Sequence, residues 1–261
     1  MIKDEFTSLS VGRYLSEKRE VIIVDKADSS NNIAKELAKS GAPEGTVIAV
    51  KKQTQGRGRM GRSFISSSEN GLYMSVILRP AVSPDKCVDI TVIGAVAVAR
   101  AIEKLCPKKC SVKWVNDIYI DEKKVSGILT EASVKDGTID YAVIGIGVNL
   151  TPPEGGFDSE ISHIACAMYE GDAPTDIKSR LLAEITDSFF KIYKELGTGS
   201  YMDEYRNRSN IIGRYVDVYR GNETVSGVCI DIDQNANIVV KTDTCTRIFG
   251  SGDARVRKNE K

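Results

Sequence analysis

Two segments of alternating apolar residues, 124–134 and 138–150, are joined across Asp136-Gly137, and this pairing constrains the fold more than any other feature of the chain. Asp-Gly tolerates the positive φ angles of a tight hairpin turn, so the two segments are expected to run antiparallel. A parallel return would need a crossover of a dozen or more residues. Residues 112–120 precede them across Asp121-Glu122, a second short turn, and read as a third neighbouring strand. Residues 21–24, 46–50 and 71–78 supply further strands. Between the first two, a helix over 31–39 places Ala34, Leu37 and Ala38 on one face, with Ser29 or Ser30 as its cap. Ser83-Pro84 opens a long helix that is apolar nearly all round, through Ile93, Val96, Ala97 and Ala101, until Arg100, and is therefore expected to be buried. Strands and helices mix without a regular βαβ beat. The fold class is therefore α+β, with a mixed, largely antiparallel sheet packed with helices.

After Leu150 the texture changes. Thr151-Pro152-Pro153-Glu154-Gly155-Gly156 reads as a mobile loop, and residues 176–196 carry one apolar helical stripe. Short alternating strands then follow at 215–220, 223–231, 237–241 and 245–249, with turns at Gly221-Asn222 and Gln234-Asn235. This pattern predicts a separate small β-barrel. The expected division is a larger domain over 1–209 and a C-terminal barrel over 210–261, with 255–261 frayed.

Lysine plus arginine and aspartate plus glutamate both number 36, so the chain has no net charge. That balance argues against bulk electrostatic binding to nucleic acid or membrane. No apolar run approaches a bilayer-spanning length, and Met1-Ile2-Lys3-Asp4-Glu5 lacks the layout of a secretion signal, so a soluble cytoplasmic protein is expected. Six cysteines are scattered without Cys-x-x-Cys pairs, which fits reduced, packed thiols. His163 is the only histidine. A multi-histidine metal site is thereby excluded.

Against this neutral background, Gln53-Thr54-Gln55-Gly56-Arg57-Gly58-Arg59-Met60-Gly61-Arg62 concentrates positive charge with no acidic residue between. Glycine lets backbone N–H groups approach a ligand, and arginine grips carboxylate or phosphate oxygens in pairs. The segment matches G-x-G-x-x-G formally. That fingerprint requires a following helix and an acidic residue about twenty positions on, whereas here Arg62-Ser63-Phe64-Ile65 is a poor helix start and Pro80-Ala81-Val82-Ser83 stands at the later position. No G-x-x-x-x-G-K-[ST] phosphate loop occurs. Two further segments break local rules. Lys113-Trp114-Val115-Asn116-Asp117 puts poor strand formers beside a large aromatic inside an expected strand, and Gly145-Ile146-Gly147-Val148-Asn149 ends another with two glycines and an amide. Such violations often mark a site.

Asp28-Ser29-Ser30-Asn31, Gln53 with Gly56 to Arg62, Lys113 to Asp117 with Lys124-Val125-Ser126-Gly127-Ile128-Leu129, and Gly145 to Asn149 together resemble the ordered motifs of biotin protein ligases. One departure is Val115, where that family commonly has proline; valine keeps an extended backbone, so a small effect is expected. The resemblance implies a sheet like that of class II aminoacyl-tRNA synthetases, and a monofunctional form without the N-terminal DNA-binding domain that some members carry. It also implies ATP-dependent activation of biotin as biotinyl-5′-AMP, followed by transfer to a lysine of a biotin carboxyl carrier protein. Biotin contacts would come from Ser29, Ser30, Asn31, Gln53, Arg57, Gly58, Arg59 and Lys113. Lys113 and Arg59 would be catalytic, and Arg59, Arg62, Asn116, Asn149 and Phe157 would hold the nucleotide. ATP and biotin are the implied substrates, with Mg²⁺, for which Asp117 is a candidate ligand. The Gly/Arg loop would act as a lid over the adenylate. A homodimer through sheet edges is possible within the family.

Lipoate and octanoate ligases share the fold, but use a different glycine-rich segment with a following histidine that this chain lacks. An RNA-binding module is the other alternative, and the zero net charge with no repeated arginine–glycine units weighs against it.

Overall fold

The computed structural model describes residues 5–61, 64 and 69–257. Seven strands form the main sheet: β1 (Val21–Ala27), β2 (Val47–Gln53), β3 (Gly71–Leu78), β4 (Ser111–Lys113), β5 (Asp117–Ile120), β6 (Lys123–Lys135) and β7 (Thr138–Asn149). They lie in the order β1-β2-β3-β7-β6-β5-β4. β1 and β2 are parallel, and all other neighbours are antiparallel. The two short turns behave as their residues dictate: Asp121 and Glu122 have φ of 47° and 63°, and Asp136 and Gly137 have 50° and 78°. Positive φ at both central positions matches the twist of the flanking strands.

Period-two alternation sorts the central strands into two faces. On one face Leu72, Met74, Val76 and Leu78 of β3 and Ala142, Ile144, Ile146 and Val148 of β7 join the large core with α3 (Cys87–Leu105) and α4 (Ile177–Tyr193). Ile93, Val96, Ala97 and Ala101 of α3 are fully buried there. On the other face Ile48, Ile77, Tyr141 and Val143 pack with Ala34 and Ala38 of α2 (Ser30–Lys39). Tyr73 and Ser75 share this second face and lie in register with Gly147 and Gly145. The site is built on that stretch of sheet.

The structure corrects the reading of 112–120 as one strand. The chain turns at Trp114-Val115-Asn116, so that β4 and β5 form a hairpin with Lys113 opposite Asp117. The Trp114–Val115 peptide bond is cis. Two buried side chains anchor the turn: the Trp114 indole N–H donates to the Ala236 carbonyl at 2.7 Å, and the Tyr205 hydroxyl donates to the Val115 carbonyl at 3.0 Å. Tyr205 belongs to α5 (Met202–Asn207), which with α1 (Ser8–Gly12) completes the helices.

The C-terminal strands are β8 (Tyr215–Arg220), β9 (Glu223–Ile232), β10 (Ile238–Lys241), β11 (Thr246–Phe249) and β12 (Asp253–Val256), in the order β11-β10-β9-β8-β12. Among the described residues β11 and β12 do not pair, so the expected barrel is an open five-stranded sheet. Arg255, expected to fray, lies in β12, and the following Arg257 guanidinium donates to the Asp217 carboxylate at 2.5 Å. β8, β9 and β10 send Val216, Val218, Cys229 and Val240 into the same core that lies beneath the main sheet.

Candidate active site

The N-terminal turn of α2, the end of β2 and the middle of β3 and β7 bring buried polar groups together. Ser29, Ser30, Asn31, Gln53 and Ser75 are all buried. Burial of polar groups is tolerated only when they are hydrogen-bonded. Ser30 N–H donates to Gln53 Oε1 at 2.7 Å, and Asn31 Nδ2 donates to Glu131 Oε2 at 2.9 Å. The absence of a side chain at Gly145 makes the room: a Cβ there would sit 2.0 Å from Asn31 Oδ1. Ser29, Ser30, Asn31 and Gln53, with Arg57, Phe64, Gly127 and Gly147, line a narrow cavity of about 30 Å³, and Ser75 and Glu131 lie behind them.

A second cavity of about 120 Å³ adjoins it, lined by Arg57, Gly58, Arg59, Lys113, Trp114, Asn116, Asp117, Lys124, Gly252 and Asp253. Arg57, Phe64 and Gly127 line both. Phe64 is the partition. Its ring lies over Gly147, where a Cβ would be 2.7 Å from Cε1, and it meets Tyr73 edge-on with centroids 6.4 Å apart. A ligand spanning both cavities must displace that ring.

The second cavity is strongly cationic and its cations are held differently. Arg59 donates to Asn116 Oδ1 at 3.1 Å, while Asn116 Nδ2 donates to the Ile128 carbonyl at 2.8 Å. Asn116 therefore ties the arginine to β6. Lys124 donates to Asp117 Oδ1 at 2.7 Å. Lys113 lines the cavity and, among the described residues, makes no ion pair. Arg57 donates to Asn32 Oδ1 at 3.0 Å and lies 3.4 Å from Glu131 Oε1, which also pairs with Lys35 at 3.0 Å. Burial disfavours the charged form of Glu131, but Asn31, Lys35 and Arg57 together outweigh it and hold its carboxyl below the usual range.

Ser29, Ser30, Asn31, Gln53, Arg57, Gly58, Arg59, Lys113, Asn116 and Asp117, singled out from the sequence, thus line the two adjoining cavities. Asn149 and Phe157 line neither. Asn149 Nδ2 instead donates to the Cys166 carbonyl at 3.0 Å, fastening the segment that follows β7. Arg62 lies outside the described residues. Phe64, Ser75, Lys124, Glu131 and Asp253 were not singled out as site residues. Alternation along β3 and β6 could have flagged Ser75 and Glu131, which share a face with the glycines; Asp253 comes from β12 and had no sequence signal.

Residues 23–149 match the model of the biotin/lipoate A/B protein ligase family. Over those residues the chain is similar to that family. The bifunctional ligase/repressor BirA of Bacillus subtilis is 36% identical over 183 residues, covering 70% of this chain and 56% of that protein. The biotin–[acetyl-CoA-carboxylase] ligase of Mycobacterium tuberculosis is 27% identical over 241 residues, covering 90% of this chain and 88% of that protein. The biotin protein ligase of Aquifex aeolicus in complex with biotin and ATP has a TM-score of 0.74 at 26% identity, covering 92% of this chain and 99% of that one. The chain spans 56% of the length of the Bacillus relative and nearly all of the Aquifex enzyme's chain. No helix among its described residues is long and apolar enough to cross a membrane.

Proposed function

We propose that this chain is an ATP-dependent biotin–protein ligase. The observation that carries the reading is the junction of two unlike cavities at Arg57, Phe64 and Gly127: one lined by buried amides and hydroxyls, the other by Arg59, Lys113 and Lys124. A neutral ureido ring suits Ser30, Asn31 and Gln53. A carboxylate reaching past Phe64 would enter the cationic cavity and meet the α-phosphate of ATP there. We assign catalysis to residues 1–209, with residues 210–261 supplying a wall through Gly252 and Asp253.

In the first half-reaction a biotin carboxylate oxygen attacks the α-phosphorus, forming biotinyl-5′-AMP while pyrophosphate leaves. In the second, the amine of a carrier lysine attacks the acyl carbon, an amide forms and AMP leaves. Neither step needs a side-chain nucleophile. Lys113 supplies charge where it develops between carboxylate and α-phosphate, and Arg59, already oriented by Asn116, adds a preorganised donor. Arg62, Asn149 and Phe157 are assigned to the nucleotide side, the last two through the segment after β7. Magnesium enters as the counterion of ATP. Among the described residues no cluster of three potential metal ligands exists, and Asp117 is already paired with Lys124, so no step is routed through a protein-held ion.

Biotin-dependent exchange between ATP and labelled pyrophosphate tests the first half-reaction, and biotinylation of a carrier domain of acetyl-CoA carboxylase tests the second. Exchange supported by lipoate and not by biotin would overturn the reading.

A further inference from the structure

Four polar side chains, Ser30 and Asn31 lining the smaller cavity and Ser75 and Glu131 behind them, form a chain whose proton direction is set at one end. Ser75 Oγ lies 2.8 Å from Ser30 Oγ and 2.6 Å from Asn31 Oδ1, yet a hydroxyl has a single proton to give. Glu131 decides where it goes. A carboxylate only accepts, so Asn31 turns Nδ2 toward Glu131 Oε2 and leaves Oδ1 facing Ser75. Oδ1 also only accepts. Ser75 therefore donates to Asn31 and accepts from Ser30, which leaves Ser30 Oγ presenting lone pairs to the cavity. Gln53 is oriented separately: its Oε1 takes the Ser30 N–H, so its Nε2 remains a donor.

The other oxygen of Glu131 faces cations. Oε1 lies 3.0 Å from Lys35 Nζ and 3.4 Å from the Arg57 guanidinium, and Arg57 lines both cavities. We propose that Glu131 is a positioning residue that sets the donor–acceptor polarity of the smaller cavity through Asn31 and Ser75, and ties it to the Gly/Arg loop through Arg57. On the biotin-ligase reading, on which this assignment rests, an acceptor at Ser30 beside a donor at Gln53 matches the N–H and C=O edges of a ureido ring.

The assignment predicts an inversion. In Glu131→Gln the single remaining oxygen stays with Arg57 and Lys35, and the new amide N–H₂ turns toward Asn31. Asn31 then flips, donates to Ser75, and the chain runs the other way, so that Ser30 presents a proton where it presented lone pairs. Adding Asn31→Asp restores the original direction, because a carboxylate at position 31 accepts from both the new amide and Ser75.

Titration calorimetry with biotin on the full chain is the test, with the Michaelis constant for ATP in pyrophosphate exchange as the second readout. Glu131→Gln alone is expected to weaken biotin binding at least about tenfold, the effect of one lost or mismatched buried hydrogen bond. The Michaelis constant for ATP should stay within about twofold, and the double variant E131Q/N31D should recover most of the biotin affinity. Ser75→Ala cuts the same chain from β3 and should weaken biotin alike; it serves if E131Q does not fold. Unchanged biotin affinity in E131Q, equal loss toward biotin and ATP, or a double variant no better than E131Q would overturn the role of Glu131. A wild-type chain that neither binds biotin nor supports exchange would overturn the functional reading itself.

Discussion

The Trp114 indole N–H donates 2.7 Å to the carbonyl of Ala236, joining the turn that carries Lys113 to a loop of the C-terminal sheet. Both residues are buried, Ala236 in the left-handed region with φ 58°. Trp114→Phe keeps most of the apolar bulk but strands that carbonyl, and is expected to cost about 1–3 kcal/mol. Thermal melting should register a lower midpoint. An unchanged midpoint would show that water replaces the indole freely.

Lys113→Ala addresses chemistry rather than stability. The side chain lines the cationic cavity without an ion pair among the described residues, so its removal should leave the melting midpoint nearly unchanged. Pyrophosphate exchange is expected to fall about 10²- to 10³-fold. A comparable loss of melting stability would point to a structural role instead.

Gly145→Ala places a methyl group 2.0 Å from Asn31 Oδ1, a distance that cannot persist. Asn31 must move off its partners. Overpacking of this kind costs about 1–3 kcal/mol, which calorimetry should read as a loss of biotin affinity of roughly 5- to 150-fold.

Glu131 gives a pH dependence of defined sign. Its folded-state pKa is depressed, burial being outweighed by Asn31, Lys35 and Arg57, so its contribution is complete above the unfolded carboxylate value of about 4.3 and is lost as pH falls through the lower folded value. The difference in melting midpoint between wild type and E131Q should accordingly be largest near neutrality and shrink toward zero below pH 4. A difference that grows in acid would contradict the assignment.

The thiols should react in a fixed order. Cys245 is exposed and its pKa is lowered by hydrogen bonds from Thr242 and Thr244, whereas burial pushes Cys229 up to about 11 and Cys110 up to about 12. Iodoacetamide at pH 8 followed by peptide mapping should find Cys245 modified first. Early labelling of Cys110 would indicate local opening around β4.

Much of the main sheet was legible because its turns are short and chemically marked: Asp136-Gly137 and Asp121-Glu122 predict antiparallel neighbours without any tertiary information. The hairpin at Trp114-Val115-Asn116 was not. Its anchors are Tyr205 and Ala236, far along the chain, and no local pattern encodes them. β12 was hidden for a similar reason, since its charged residues look solvated until Arg257 meets Asp217 across the sheet. At the site, Lys113 stood out as a polar residue inside an expected strand, whereas Ser30 and Gln53 were reached through the resemblance to biotin protein ligases. Glu131 and Ser75 did not stand out, because an occasional polar residue in a strand is unremarkable until its face is known.

β7 answers to two masters along one stretch of backbone. Ile144, Ile146 and Val148 face the helices, while Gly145 and Gly147 face the cavities. A saturation scan of residues 144–148 should therefore trace a sawtooth: even positions would report on whether the protein survives, odd positions on whether it works. A one-residue insertion would exchange the two sets and abolish both.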